Sequence, residues 1–192
     1  MNLFTEKFPN VISVDGAEIP IRTDFRVWVQ VEQVFSASAH MSVETILSLY
    51  RLVFPKDTVI PENVGGTMEQ LLWFYGCGTH AKKGGARSSS KNRVVSFLED
   101  SALIYAAFLS QYHIDLTETD MHWWKFRALF DGLWSNHRIS EVMGYRGEDL
   151  SKIKDKERRK FYKDMQERNK LPDLRSEAEI ERDNMANLEK MI

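Results

Sequence analysis

Apolar positions recur along this chain in two rhythms, first at every second residue and then at every third or fourth. Val11, Ile12 and Val14, then Ile19 and Ile21, flank Asp15-Gly16. Asp-Gly supplies the positive φ angles of a tight turn, so the segment predicts a β-hairpin. Pro20 makes its second strand an edge. A lone hairpin is marginal in water, so this one must pack on the helices after it.

Helical spacing takes over at Thr23, read as an N-cap with Asp24 in the first turn. Phe25, Trp28, Val29 and Phe35 share a face of helix one. Helix two starts at Ser42, carries Ile46, Leu49, Tyr50 and Val53, and stops at Pro55. Gly65-Gly66 marks a break. Thr67-Met68-Glu69-Gln70 then has the form of a capping box for helix three, which ends at Gly76. Helix four spans roughly Phe97 to Tyr112. Leu98, Ala102, Tyr105, Leu109 and Tyr112 share one of its faces, with Ile104 and Phe108 beside it. Ala106 and Ala107 are small enough to let a neighbouring helix approach closely. Helix five, capped by Thr117, is apolar nearly all round from Met121 to Trp134, which predicts the central helix of the core.

Beyond Asn136 the apolar pattern thins. Ile139, Val142 and Met143 make a short helix closed by Gly144. Glu148 to about Lys170 is helical but sparsely apolar, and Leu171-Pro172 ends it. Ser176 caps a last helix with Ala178, Met185, Leu188 and Ile192 at near-heptad spacing, too short for a coiled coil alone. The expected architecture is mainly α: a helical core domain, residues 1–145, with an N-terminal hairpin, and then an extended charged helical C-terminal arm, residues 146–192.

Charge sharpens this picture in two places. The 192 residues carry a formal net charge of -2, which gives no general pull toward nucleic acid or anionic membrane. The segment near 80–93 combines Gly84-Gly85 and Ser88-Ser89-Ser90 with Lys82, Lys83, Arg87, Lys91 and Arg93, and predicts an exposed, mobile basic loop. In residues 152–170 nine cations alternate with Asp155, Glu157, Asp164 and Glu167, the pattern of a solvated helix with i,i+4 pairs. Glu177, Glu179, Glu181 and Asp183 in the tail could also pair with them.

Candidate chemistry is sparse. No dinucleotide, P-loop, zincin or nucleophile-elbow motif occurs, so neither cofactor nor catalytic residue is assigned and an enzyme is not expected. Cys77-Gly78-Thr79-His80 has the spacing of half a zinc site but lacks a second ligand pair, so no metal is assigned. Glu99-Asp100, Glu118 and Asp120 fall at expected helix starts, where capping explains them. The single cysteine forbids an intramolecular disulfide and favours a reducing compartment. No apolar run has the ~20 residues of a membrane helix. Core packing is the first reading of the double tryptophan. Trp123, Arg127 and Trp134 are nonetheless the partner-binding candidates, because Trp and Arg are favoured interface anchors. Lys82, Lys83 and Arg87 join them as adjustable polar contacts.

Several landmarks occur in a familiar order. They are Asp24-Phe25-Arg26-Val27-Trp28, Trp73-Phe74-Tyr75-Gly76-Cys77-Gly78, Ile104-Tyr105-Ala106-Ala107-Phe108, His122-Trp123-Trp124-Lys125-Phe126-Arg127-Ala128-Leu129-Phe130, Met143-Gly144-Tyr145-Arg146 and Asp149-Leu150-Ser151-Lys152-Ile153-Lys154. From about Phe8 to Pro172 the chain resembles the bacteriophage gene-product-fifteen family of tailed phages and prophages of Gram-positive bacteria. Genes of that family tend to lie between those of the major tail protein and the tape-measure protein. The resemblance therefore implies a tail-assembly chaperone that coats the tape measure in the host cytoplasm and is absent from the mature virion. The partners it implies are the tape-measure protein and the major tail tube protein. Self-association stays open, and neither membrane nor nucleic acid is an expected partner. A tail completion or connector protein of the virion is the alternative, and a nucleic-acid-binding regulator the third reading.

Overall fold

The computed structural model describes residues 5–37, 41–79, 93–173 and 185. Strands β1 (Val11–Val14) and β2 (Ala17–Pro20) come first. Helices α1 (Phe25–Ala37), α2 (Val43–Val53), α3 (Val64–Tyr75), α4 (Ser101–Tyr112), α5 (Trp123–Asp131), α6 (Arg138–Gly147) and α7 (Lys156–Arg168) come after them. The protein is mainly α. The expected last helix lies outside the described residues except for Met185, which is helical and exposed.

The hairpin pairs Ile12 with Ile19 and Val14 with Ala17 in antiparallel register. Its turn needs positive φ twice, and Asp15 (φ 50°) with Gly16 (φ 82°) supply it. Ile12, Val14, Ile19 and Ile21 face inward. The turn is tied to α3: the Asp15 carboxylate accepts both bonds from Asn63 Nδ2, at 2.9 and 3.0 Å. Asn63 is also the N-cap of α3, its Oδ1 accepting from Gly66 N. α3 therefore begins before Gly65-Gly66, not after it. Thr67 is no cap but a buried residue donating to the Asn63 carbonyl.

α2 lies where its Ser42 cap and Pro55 stop place it. α1 is capped by Asp24, whose carboxylate accepts from Arg26 N, rather than by Thr23. α5 starts five residues later than a Thr117 cap suggests. Asp115 takes the Thr117 amide and hydroxyl into a local turn, and His122 Nδ1 caps α5 by accepting from Trp124 N. α6 runs through Gly144 to Gly147.

α4 resolves which of its apolar faces goes inward. Ile104, Ala107 and Phe108 are buried, whereas Ala102 and Leu109 are exposed, as is Leu98 in the turn before the helix, which starts at Ser101 and not near Phe97. Periodicity alone cannot choose when a helix contains no charged residue.

The core is a column of aromatic rings. Phe126 stacks on Phe25 (4.8 Å between centroids), Phe108 (5.2 Å) and Trp123 (5.7 Å), and Phe97 meets it edge-on. Such contacts add about 0.5–1.5 kcal/mol each beyond area burial.

The charged C-terminal segment is not one continuous helix. Asp149 caps a single 3-10 turn at Leu150–Lys152, Ile153 is buried, and Asp155 caps α7. Gln166 donates to the carbonyls of Tyr145 and Glu148 and so anchors α7 to α6. Among the described residues, no ion pair forms between two α7 side chains, in contrast to the expected i,i+4 ladder.

Asp100 is not a side-chain cap either. It sits buried against Arg146 at 2.7 and 3.0 Å, and it also accepts from Ser96 N. The same guanidinium donates to the carbonyls of Val94 and Asn169, so one side chain joins three segments. Removing one partner of a buried pair strands the other charge. Arg146→Ala is expected to lower unfolding free energy by about 3–5 kcal/mol. Arg138→Ala, which breaks the exposed pair with Glu141, is expected to cost under about 1 kcal/mol. Urea denaturation of both variants checks the contrast.

Candidate partner-binding groove

Two runs far apart in sequence are zipped together around α5. Phe25 N donates to the Met121 carbonyl (2.9 Å) and Trp123 N to the Thr23 carbonyl (2.7 Å). Arg26 completes the join. Its guanidinium pairs with Asp24 and Asp120 and donates to the carbonyls of Leu116, Thr117 and Thr119. An arginine fork suits such convergent acceptors because its donors are planar and fixed.

This join holds α1 beside α4 and leaves an open groove of about 530 Å³ between them. Val29 and Gln30 form one wall, Ala102 and Tyr105 the other. Phe97 and Phe126 form the floor, which the aromatic column behind it makes rigid. Two polar side chains at its rim are already engaged: Arg26 as above, and the Tyr105 hydroxyl with Asp115 (3.1 Å). The walls are therefore free to take an apolar guest, the usual character of a binding cleft.

The proposed partner-binding residues lie elsewhere. Trp123 is wholly buried, and its indole N–H donates to the Tyr75 carbonyl (2.9 Å). It supports the core and offers no surface to a partner. Arg127 is half-buried, lies over the Trp123 and Phe97 rings, and pairs with Asp131 at 3.6 Å. Trp134 is 61% exposed, stacked on His137 and fixed by its amide to Gln111. Of these three, it alone presents a large free apolar face. Lys82, Lys83 and Arg87, like most of the basic loop, lie outside the described residues. The groove itself escaped sequence reasoning because its walls are some 70 residues apart; the signal available was the chargeless run of α4.

The double tryptophan explains a second landmark. Trp124 donates to the Phe74 carbonyl (2.8 Å), which also accepts from Cys77 N, and Trp123 donates to the Tyr75 carbonyl, so adjacent indoles bond consecutive carbonyls at the end of α3. Trp124 then crosses Gly78, where a Cβ would lie 3.1 Å from the indole and φ is +84°. Only glycine accepts both conditions.

With this geometry in place, the family comparison is decisive: the sequence matches the family described as Bacteriophage Gp15 protein over residues 4–171. The chain belongs to that family. The match spans every described helix and the hairpin of this Gp15 family protein, Met185 aside. No curated protein and no solved structure matches the chain. No helix among the described residues is long and apolar enough to cross a membrane.

Burial shifts several titratable groups in and around the core. Cys77 is half-buried, and desolvation pushes its thiol up to about 11, with the Arg127 charge opposing. His80, its companion in the half zinc site, lies outside the described residues. Burial also raises Glu32, against the hydrogen bond from Ser36 and the charge of Arg93. His122 is lowered by burial, partly offset by its bond to the Pro9 carbonyl. Because Nδ1 accepts from Trp124 N, Nε2 carries the proton and donates to Pro9.

Both the cysteine and the histidine shift can be measured. A thiol reagent at pH 8 should label Cys77 in the folded Gp15 protein far more slowly than in urea, given roughly a hundredfold less thiolate; equal rates would contradict the burial. For His122 the folded pKa lies below the unfolded value of about 6.5. Its contribution is therefore complete above that pH and is lost as pH falls below it, because the unfolded chain takes the proton first. The urea midpoint should drop between pH 7 and pH 5.5, and His122→Asn, which keeps a cap without titrating, should flatten that slope.

Proposed function

We propose that this Gp15 family protein is a non-enzymatic tail-assembly chaperone that holds a helical segment of the tape-measure protein during tail morphogenesis. The observation that carries the reading is the open apolar groove between α1 and α4, with its aromatic floor and with Arg26 and Tyr105 at its rim already engaged. A tape measure is a long helix with an apolar stripe, and a groove of this kind takes such a helix by its i, i+3, i+4 and i+7 side chains. Family membership supports the phage setting. The gene position common in the family, between the major tail protein and the tape measure, points to this partner. Many copies along one client would supply avidity without a tight single site.

Co-expression with the tape-measure gene of the same genome tests the reading. The two proteins should co-purify, and the soluble fraction of the tape measure should rise. Val29→Glu, which puts a charge in the groove wall, should abolish both effects while leaving the far-UV circular dichroism unchanged. No complex and no gain in solubility would defeat the proposal. Finding the chain in purified virions at stoichiometric amounts would instead mark a structural tail component.

A further inference from the structure

From Ser101 to Tyr112, α4 carries no charged residue, yet it turns a broad face to solvent. Ala102 and Ala106 are exposed, and Leu98 and Leu109 remain 55% and 42% exposed. A helix apolar on all sides belongs between two surfaces. The described residues supply one of them, through Ile104, Ala107 and Phe108.

We propose that the other surface is a second copy of this chain, packed α4 against α4, antiparallel, about a twofold axis at Ala106. Three features select a second copy. The exposed positions 99, 102, 106, 109 and 113 are spaced alternately by three and four residues, the interval that keeps one helix seam on a partner helix. The ends of the seam are complementary in kind: Glu99 is exposed just before the helix and His113 is exposed just after it. Antiparallel pairing sets Glu99 of each copy beside the other copy's His113 and aligns the two helix dipoles favourably. Size is complementary as well. Ala106 on the axis lets the backbones approach, and Leu109 of each copy then packs toward the other copy's Ala102, large against small. A twofold contact of this kind is closed, so it yields a dimer and not a filament.

Ala102 also lines the groove, so Leu109 of the second copy would cover that edge. A client helix would then have to displace it. Only this competition rests on the chaperone reading; the pairing itself does not.

Sedimentation equilibrium of the full chain at pH 7.5, from about 1 to 100 μM, tests the pairing without any client. The native chain should be a dimer in this range. Ala106→Glu places two like charges on the axis and should leave a monomer with unchanged circular dichroism. His113→Asp, which sets Asp against Glu99 twice, should weaken the dimer roughly tenfold. Adding Glu99→Lys to it should restore the native affinity. A native chain that is monomeric throughout, a dimer indifferent to Ala106→Glu, or a double variant that fails to recover would each overturn the proposal. A monomeric Ala106→Glu chain that still co-purifies with the tape measure would leave the chaperone reading standing, so the two claims fail separately.

Discussion

Two neighbouring indole N–H groups at the start of α5 hold the fold in register. Trp123 and Trp124 donate to consecutive carbonyls at the end of α3. Buried indoles need acceptors, and these two carbonyls supply them: Tyr75 O at the helix end, and Phe74 O alongside its backbone bond from Cys77 N. That join sets the axis of α5. The axis directs Phe126 and Phe130 into the ring column, and the column in turn places Phe25 of α1 and Phe108 of α4. The spacing of α1 from α4, and hence the groove, descends from this contact together with the Arg26 join.

What was legible in the sequence was local chemistry. Asp15-Gly16 announced the hairpin turn, and Ser42 with Pro55 bracketed α2. Where local chemistry pointed the wrong way, a competing partner had outbid it. Thr117 resembles a cap, but Asp115 captures it, and a histidine, an uncommon cap, starts α5. Asp100 resembles a cap until Arg146, 46 residues on, is brought beside it. Thr67 mimics a capping box, while Asn63 caps the helix and is itself held by Asp15 of the hairpin.

The candidate site was less legible than the fold for the same reason. Trp123 was conspicuous because it is large and aromatic, yet those qualities served the interior. The groove is built from ordinary residues such as Val29 and Ala102, whose significance lies in what stands opposite them. Order along the chain carried more than any one residue. Three of the landmark runs prove to be the pieces of two joins, with the His122 run in both: it pairs with Asp24 to Trp28, and its double tryptophan with the Trp73 to Gly78 run.

The Arg26 join has a consequence for synthesis on the ribosome. Its distant acceptors lie 90 to 94 residues further along the chain. At about 5–20 residues per second, α1 waits roughly 5–20 seconds for α5 to emerge. During that interval Phe25 lacks the Phe126 ring on which it stacks. A protein proposed to shield another's greasy helix thus leaves part of its own core uncovered while it is being made.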